Sequence, residues 1–264
     1  MDETKDPRFV TALARGLDVL RCFTSERQEL GTTEIARLTG LAQSTVWRLC
    51  YTLSTLGYLV PGRSPDRLRI GAGVLLLGHA LITHTGIADF AAPLMKELAD
   101  KYGLSVSLGE RYQDRMVIVQ RSEARGILSV NLHVGSSLDI ANSSLGWAYI
   151  AGIDEEARRR LLDELRAQDA KAWCARSVDI DEAIQTCGEL GFVFNLGKSH
   201  PDINAIGVPV VSGDGQHVLA LTCGGGRSQI TKEKLSREIA PELLALAARL
   251  APMVAADSRP LRQG

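Results

Sequence analysis

Residues 40–70, GLAQSTVWRLCYTLSTLGYLVPGRSPDRLRI, read as a helix, a tight exit and a two-stranded hairpin with arginines near its tip. Val46, Leu49, Leu53 and Leu56 recur at steps of three and four, one apolar helical stripe. The other face offers Gln43, Ser44, Thr45 and Arg48, which are rich in hydrogen-bond donors and acceptors. Gly57 follows the last apolar position and suits the left-handed conformation that ends a helix. Leu59-Val60 begins a strand, and Pro61-Gly62 and Pro65-Asp66 are turn chemistry. Arg67-Leu68-Arg69-Ile70 alternates, so Leu68 and Ile70 are expected to face in and the arginines out.

Upstream, residues 31–38 (GTTEIARL) make a short helix with an early acid, and Thr39-Gly40-Leu41 makes the turn. The two helices form a helix-turn-helix. Its second helix, starting near Ala42, is then the one whose N-terminal residues meet base edges in a major groove. The hairpin is a wing expected to place Arg63, Arg67 and Arg69 near phosphates or a minor groove. The whole chain has 30 Lys+Arg against 31 Asp+Glu, yet residues 35–70 hold five arginines against the single acid Asp66. Binding through one small face needs only such a local patch. A trihelical domain with solvated arginines would give much of this pattern. The Gln-Ser-Thr-Val-x-Arg helix head followed by a wing favours DNA.

This N-terminal part resembles the IclR family of bacterial transcriptional regulators. The matching residues are 11–20 (TALARGLDVL), 33–36 (TEIA), 40–49 (GLAQSTVWRL) and the wing end 67–71 (RLRIG). The likeness continues through most of the chain. Two departures stand out. The family often has Pro-Lys where this chain has Ala42-Gln43, and often His at Trp47. Losing a positive charge at the groove implies a different operator preference.

The composition is that of a globular protein: 264 residues, 45% hydrophobic and 23% charged. The start, MDETKDPR, is charged with no apolar run behind it, and Val74–Ile82 is far short of the roughly 20 residues of a spanning helix. A cytoplasmic protein without membrane association is expected. Cys22, Cys50, Cys174, Cys187 and Cys223 form no CxxC pair, so neither a zinc site nor a disulfide framework is indicated, and most are expected to be buried.

Helix 1 is expected from Val10 to Phe23 with Leu13, Leu17 and Leu20 on one stripe and Arg15 within reach of a phosphate; residues 25–30 read as polar loop. After the wing, Gly71 to Gly86 is apolar and helical in period, and the resemblance makes it a linker helix that contributes to dimer packing. His79 and His84 lack metal-ligand spacing. From Ala88 helices and strands alternate. Helices are expected at Phe90–Leu98, Ala141–Ala151, Asp154–Leu165, Ile180–Leu190 and Thr231–Ala255, the last kinked or restarted at Pro241. Strands are expected at 104–108, 116–120, 127–133, 192–196, 203–211 and 217–223. The fold class is thus α+β: a winged helix-turn-helix (1–71), a linker helix (72–88), a C-terminal domain with a mostly antiparallel sheet (89–256) and a loose tail (257–264). The resemblance implies that the C-terminal domain is GAF/PAS-like and binds an effector.

No G-x-S-x-G, Walker A, HExxH or clustered acid pair is present, and no cofactor motif. Cys223 beside Gly224-Gly225-Gly226 lacks a histidine at a spacing that argues for a base. Three places could line a small pocket. Asn142-Ser143-Ser144-Leu145-Gly146 heads a helix whose N–H groups and hydroxyls suit a carboxylate, though capping explains at least one of them. Asn195 ends a strand, and Asp202 and Asn204 open the next, where turn chemistry is the alternative. Thr222-Cys223-Gly224 is the third. The resemblance links the three: by position it points to Ser144, Leu145, Asn195, Thr222 and Gly224 as effector contacts, with Ser143 and Asp202 beside them. Several members have an acid at Asn195 and a serine at Gly224, so a different, larger or more aromatic acid is implied. The resemblance further implies a homodimer, or a dimer of dimers, on an inverted-repeat operator. The competing readings are a cytoplasmic enzyme or metabolite-binding module with a purely structural helix-turn-helix, and a protein–protein adaptor.

Overall fold

The computed structural model describes residues 7–24, 26–84, 86–125 and 132–254, without the side chains of 79–84. Most of the strand expected at 127–133, the tail 257–264 and the side chains of His79 and His84 lie outside the described residues. The chain divides between His84 and Thr85 into two compact units.

The first unit contains α1 (Thr11–Arg21), β1 (Glu29–Gly31), α2 (Thr32–Thr39), α3 (Gln43–Thr55), β2 (Leu59–Pro61), β3 (Arg67–Ile70) and α4 (Gly73–His84). Gly40 and Gly57 have φ of 69° and 78°, so glycine ends α2 and α3 in the left-handed region. The strands form a sheet in the order β1-β3-β2. The segment read as loop supplies β1, because Leu30 pairs with Leu68 and buries its side chain in the trihelical core. That core holds Val19, Cys22, Leu30, Ile35, Val46, Cys50 and Leu59. Two expected stripes are corrected by it. In α3, Cys50 is buried while Leu56 is exposed; in α1, Val19 and Cys22 turn inward and Leu13 and Leu17 face solvent. Leu75, Leu76 and Leu77 of α4 are exposed as well. Backbone meets backbone where α3, β3 and α4 converge. A Cβ on Gly71 would lie 2.4 Å from the Gly57 carbonyl oxygen, and one on Gly73 2.9 Å from it.

The second unit contains α5 (Gly86–Tyr102), β4 (Ser105–Tyr112), β5 (Arg115–Glu123), β6 (Ser137–Asp139), α6 (Ser144–Gly152), α7 (Glu155–Gln168), α8 (Ala170–Leu190), β7 (Val193–Leu196), β8 (Ile203–Val211), β9 (Val218–Gly226), a short α9 (Lys232–Lys234) and α10 (Ala240–Val254). The segment expected as one linker over 72–88 is shared between α4 and α5, with Ile87 and Ala88 buried in the second unit. Asp169 accepts a hydrogen bond from the Ala172 N–H and so starts α8 ten residues before the expected Ile180. Before Pro241 the chain widens into a π turn over Leu235–Ile239, which accommodates a residue that has no N–H to donate.

The six strands are antiparallel, in the order β6-β5-β4-β9-β8-β7. One face packs on α5 and α10 through Val106, Leu108, Ile206, Val208, Leu221 and Cys223. The other packs on α6 and α8 through Met116, Ile118, Val193 and Ala220. Helix α6 sits unusually low on that face. A Cβ on Gly207 would lie 2.3 Å from the Ser144 carbonyl oxygen and 3.0 Å from the Ala148 Cβ. Gly207→Ala should therefore destabilise the second unit by about 1–3 kcal/mol, the usual cost of overpacking. Gly188→Ala, in α8 with nothing within 4 Å of the added methyl, should be neutral or stabilising by about 0.4–1 kcal/mol. Urea unfolding of both variants checks the contrast.

Candidate functional site

The residues singled out in the sequence fall at two places. The first is the outer face of α3 with the wing. Ser44 and Arg48 are exposed there, Thr45 is half-buried, and the amide of Gln43 donates to Thr33 Oγ1 at 3.0 Å. That bond ties the head of α3 to α2 across the turn. Arg15, Arg63 and Arg69 are exposed. Arg67 is different. Its guanidinium lies 3.0 Å from Glu34 and donates to the Glu29 carbonyl at 2.9 Å. Glu34 also accepts the Gly31 N–H at 2.9 Å. Arg67 thus ties the wing to α2, a job the alternation did not suggest. Two residues to which the sequence reading gave no contact role share the exposed face of α3: Trp47 and Tyr51, stacked on each other.

The second place is a cavity of about 210 Å³ between α6 and the sheet. Ser143, Ser144, Leu145, Asn195, Thr222 and Gly224 line it. Asp202 does not: it is exposed in the turn before β8, where its N–H donates to His200 Nδ1, so it is withdrawn as a pocket residue. Ser143 caps α6, accepting from the Gly146 N–H at 3.1 Å. Thr222 Oγ1 donates to the Ile206 carbonyl at 2.6 Å and lies 2.8 Å from Ser144 Oγ. A threonine hydroxyl has one proton, so Ser144 must donate to Thr222. That leaves Ser144 with lone pairs to offer a ligand. Asn195, 2% exposed, uses both ends of its amide on Ser199: Nδ2 donates to Oγ at 2.6 Å, and Oδ1 accepts the Ser199 N–H at 3.1 Å. Ser199 in turn donates to the Asn142 carbonyl at 2.5 Å. Asn195 therefore clasps the 197–201 loop to the entrance of α6.

Further lining residues were missed, among them Ser105, Ser107 and Arg121. The serines looked like the solvated face of a half-buried strand, but helices cover both faces of this sheet and Ser107 is 1% exposed. The Arg115 end of the hairpin would set Gln120 opposite Ser107. A bulge after Ile118 shifts the register by one and sets Arg121 there instead. Its side chain is 8% exposed, donates to Ser107 Oγ at 2.7 Å and pairs with Glu123 at 2.5 Å. Arg121, Ser107 and Thr222 follow one another on adjacent strands, and Gly207, under Ser144, comes next. The result is a polar row with a guanidinium at one end and hydroxyl lone pairs at the other. Among the described residues no cluster could hold a metal ion, and no helix is long and apolar enough to cross a membrane.

Residues 12–62 match the IclR helix-turn-helix domain, and residues 79–251 match the C-terminal domain of the bacterial transcriptional regulator IclR. The chain belongs to the IclR family. It is a DNA-binding transcriptional regulator with a C-terminal effector-binding domain, and its IclR-family relatives are regulators rather than enzymes. It is similar to the Pca regulon regulatory protein of Pseudomonas putida, with 29% identity over 92% of this chain and 83% of that protein. The crystal structure of an IclR-family transcriptional regulator from Brucella abortus shares 35% identity, covers 94% of both chains and has a TM-score of 0.87. An IclR homolog from Microbacterium hydrocarbonoxydans, complexed with 4-hydroxybenzoate, shares the fold at 20% identity and a TM-score of 0.68, covering 93% of this chain and 99% of that one.

The cysteines carry no catalytic signal. Cys223 is buried, and burial pushes its thiol up to about 12; burial likewise pushes Cys50 up to about 11. A thiol held protonated is a poor nucleophile. Cys174 is exposed. A thiol reagent at neutral pH should therefore label Cys174 first. Cys174→Ser should abolish the fast phase, and denaturant should restore labelling of the rest. Mass spectrometry of the labelled peptides reads the order.

Proposed function

We propose that this regulator binds an inverted-repeat operator as a homodimer, or a dimer of dimers, and that a small organic acid held between α6 and the sheet changes its grip. The observation that carries the effector reading is the polar row inside the cavity. Arg121 and Ser107 suit a carboxylate, because hydrogen bonds from a guanidinium to an anion are strong and directional. Ser144, its own proton given to Thr222, suits a donor on the same ligand, such as a hydroxyl. About 210 Å³ is below the roughly 300–1,000 Å³ of pockets for drug-sized ligands, so the occupant is compact. A hydroxylated aromatic acid fits these terms, and the 4-hydroxybenzoate bound by the Microbacterium homolog agrees with them. The genes controlled are then those that metabolise such an acid, and the place of action is the cytoplasm.

On the DNA side, Gln43, Ser44, Thr45 and Arg48 are the base-edge residues, and Arg15, Arg63 and Arg69 the phosphate residues. Arg67 contributes charge from a fixed position while bracing the wing. The exposed Leu13 and Leu17 of α1 and Leu75–Leu77 of α4 supply the apolar surface for a dimer seam. Two-fold symmetry then places half-sites about 10 base pairs apart, or at a multiple of that spacing.

Purified protein should bind DNA flanking its own gene specifically at about 0.1–0.2 M salt with competitor present. Arg48→Ala should relax base preference by about 1–3 kcal/mol. Arg69→Ala should weaken binding to all sequences and lower the salt slope by about one. Unchanged affinity and preference in Arg48→Ala would remove that residue from the interface. For the effector, thermal shift against a panel of organic acids should single out compact hydroxy acids. Arg121→Gln should lose about tenfold or more in their affinity while Asp202→Asn changes nothing. Selection of short oxoacids alone would overturn the hydroxy-acid assignment.

A further inference from the structure

The recognition helix presents more than hydrogen-bonding groups. Trp47 is 59% and Tyr51 63% exposed, although both are large and apolar in body. They sit one turn apart, and their rings stack with centroids 5.7 Å apart and planes within 15°. Val46 and Cys50 carry the core contacts of the same helix, so the aromatic pair is not needed to hold α3 in the domain. The pair shares a face with the exposed Ser44 and Arg48, Trp47 on the second turn of the helix and Tyr51 on the third. The N-terminal turns are the ones that meet base edges in the major groove of a helix-turn-helix, and Tyr51 continues the same face by one turn.

A major groove offers donors and acceptors on every base, and only one apolar group, the C5 methyl of thymine. We propose that Trp47 and Tyr51 form an aromatic plate that reads thymine methyl groups in each half-site, next to the base contacted by Arg48. The inference rests on the reading of α3 as the DNA-facing helix and adds what that helix selects. Stacking matters to the argument. Each ring restricts the other's rotamers, so the plate is formed before DNA arrives and loses little side-chain freedom on binding. Water is displaced from both the rings and the methyl, which rewards thymine over any base lacking that group. Neighbouring charge fits the same occupant. Arg48 is on the helix face itself, and the first unit adds the exposed Arg63 and Arg69 on its wing. A duplex is a better match to that surface than an apolar protein patch.

Uracil differs from thymine by that methyl alone, which makes the test direct. The full-length protein selects duplexes from a randomised library, with and without 4-hydroxybenzoate as a probe acid. The dissociation constant is then measured for the selected operator and for versions in which single thymines are replaced by uracil. The wild type should lose about fourfold at one or two thymines per half-site, as expected for one methyl returned to water. In Trp47→Ala and Tyr51→Ala that loss should shrink towards unity at those positions, while discrimination at the base read by Arg48 persists. Tyr51→Phe, which keeps the ring, should behave as wild type. Both residues are exposed, so unchanged thermal unfolding is expected and is measured alongside. A wild type that binds its operator but treats thymine and uracil alike overturns this inference and leaves the DNA reading standing. So does a Trp47→Ala protein with unchanged thymine preference. A wild type that selects no sequence overturns both.

Discussion

The backbone of Ser144 rests on the backbone of β8, in the space where a side chain on Gly207 would stand. Helix α6 is thereby held closer to the strand than any side chain at position 207 would allow, and much of the second unit follows. Ser144 comes within hydrogen-bond reach of Thr222, whose proton is already committed to Ile206. Ser143 is placed to cap the helix, and Asn142 to receive the Ser199 clasp. The cavity opens beside this contact, where small residues such as Gly224 and Ala205 keep the sheet face low. The pocket is thus a by-product of close packing next to it. Its polarity is set by which strand residues the register brings underneath.

In the first unit the corresponding constraint is ionic. Glu34 satisfies the Gly31 N–H at the head of α2 and holds Arg67 of the wing at the same time. Both side chains are about 40% exposed, so the pair contributes modestly to stability. Its value lies in geometry: it fixes where the hairpin stands relative to the helix pair, and so where Arg63 and Arg69 are carried.

The helix-turn-helix was legible because its signals are local. Gly40 and Gly57 end helices as their positions suggested, and the Leu68 and Ile70 alternation puts both against the core. Five of the six antiparallel strands followed from turn chemistry and runs of β-branched residues, whereas β6 was not expected. What escaped depends on distant parts of the chain. Trp47 and Tyr51 look like core residues by type, and only the packing of Cys50 shows that they point out. Ser105 and Ser107 look solvated until helices are known to cover both faces. Arg121 reaches the pocket through a bulge that no local pattern announced. Asp202 failed for the opposite reason: its residue type fitted a site, but the turn holding it faces solvent. Asn195 lines the cavity and has a second task that residue type did not suggest, since its amide also holds Ser199.

The three-glycine contact among Gly57, Gly71 and Gly73 has a mechanical meaning. The end of α3, the end of the wing and the first turn of α4 touch through main chain, with the Val60 and Tyr58 side chains packed beside the contact. Such a joint has little play, and α3 must travel with the start of α4. In the proposed dimer, an effector that turns α4 would leave each reading face undeformed and alter the phase between the two. Ligand control would then be written in the length of the operator spacer. The bases at either end would be recognised equally well in both states.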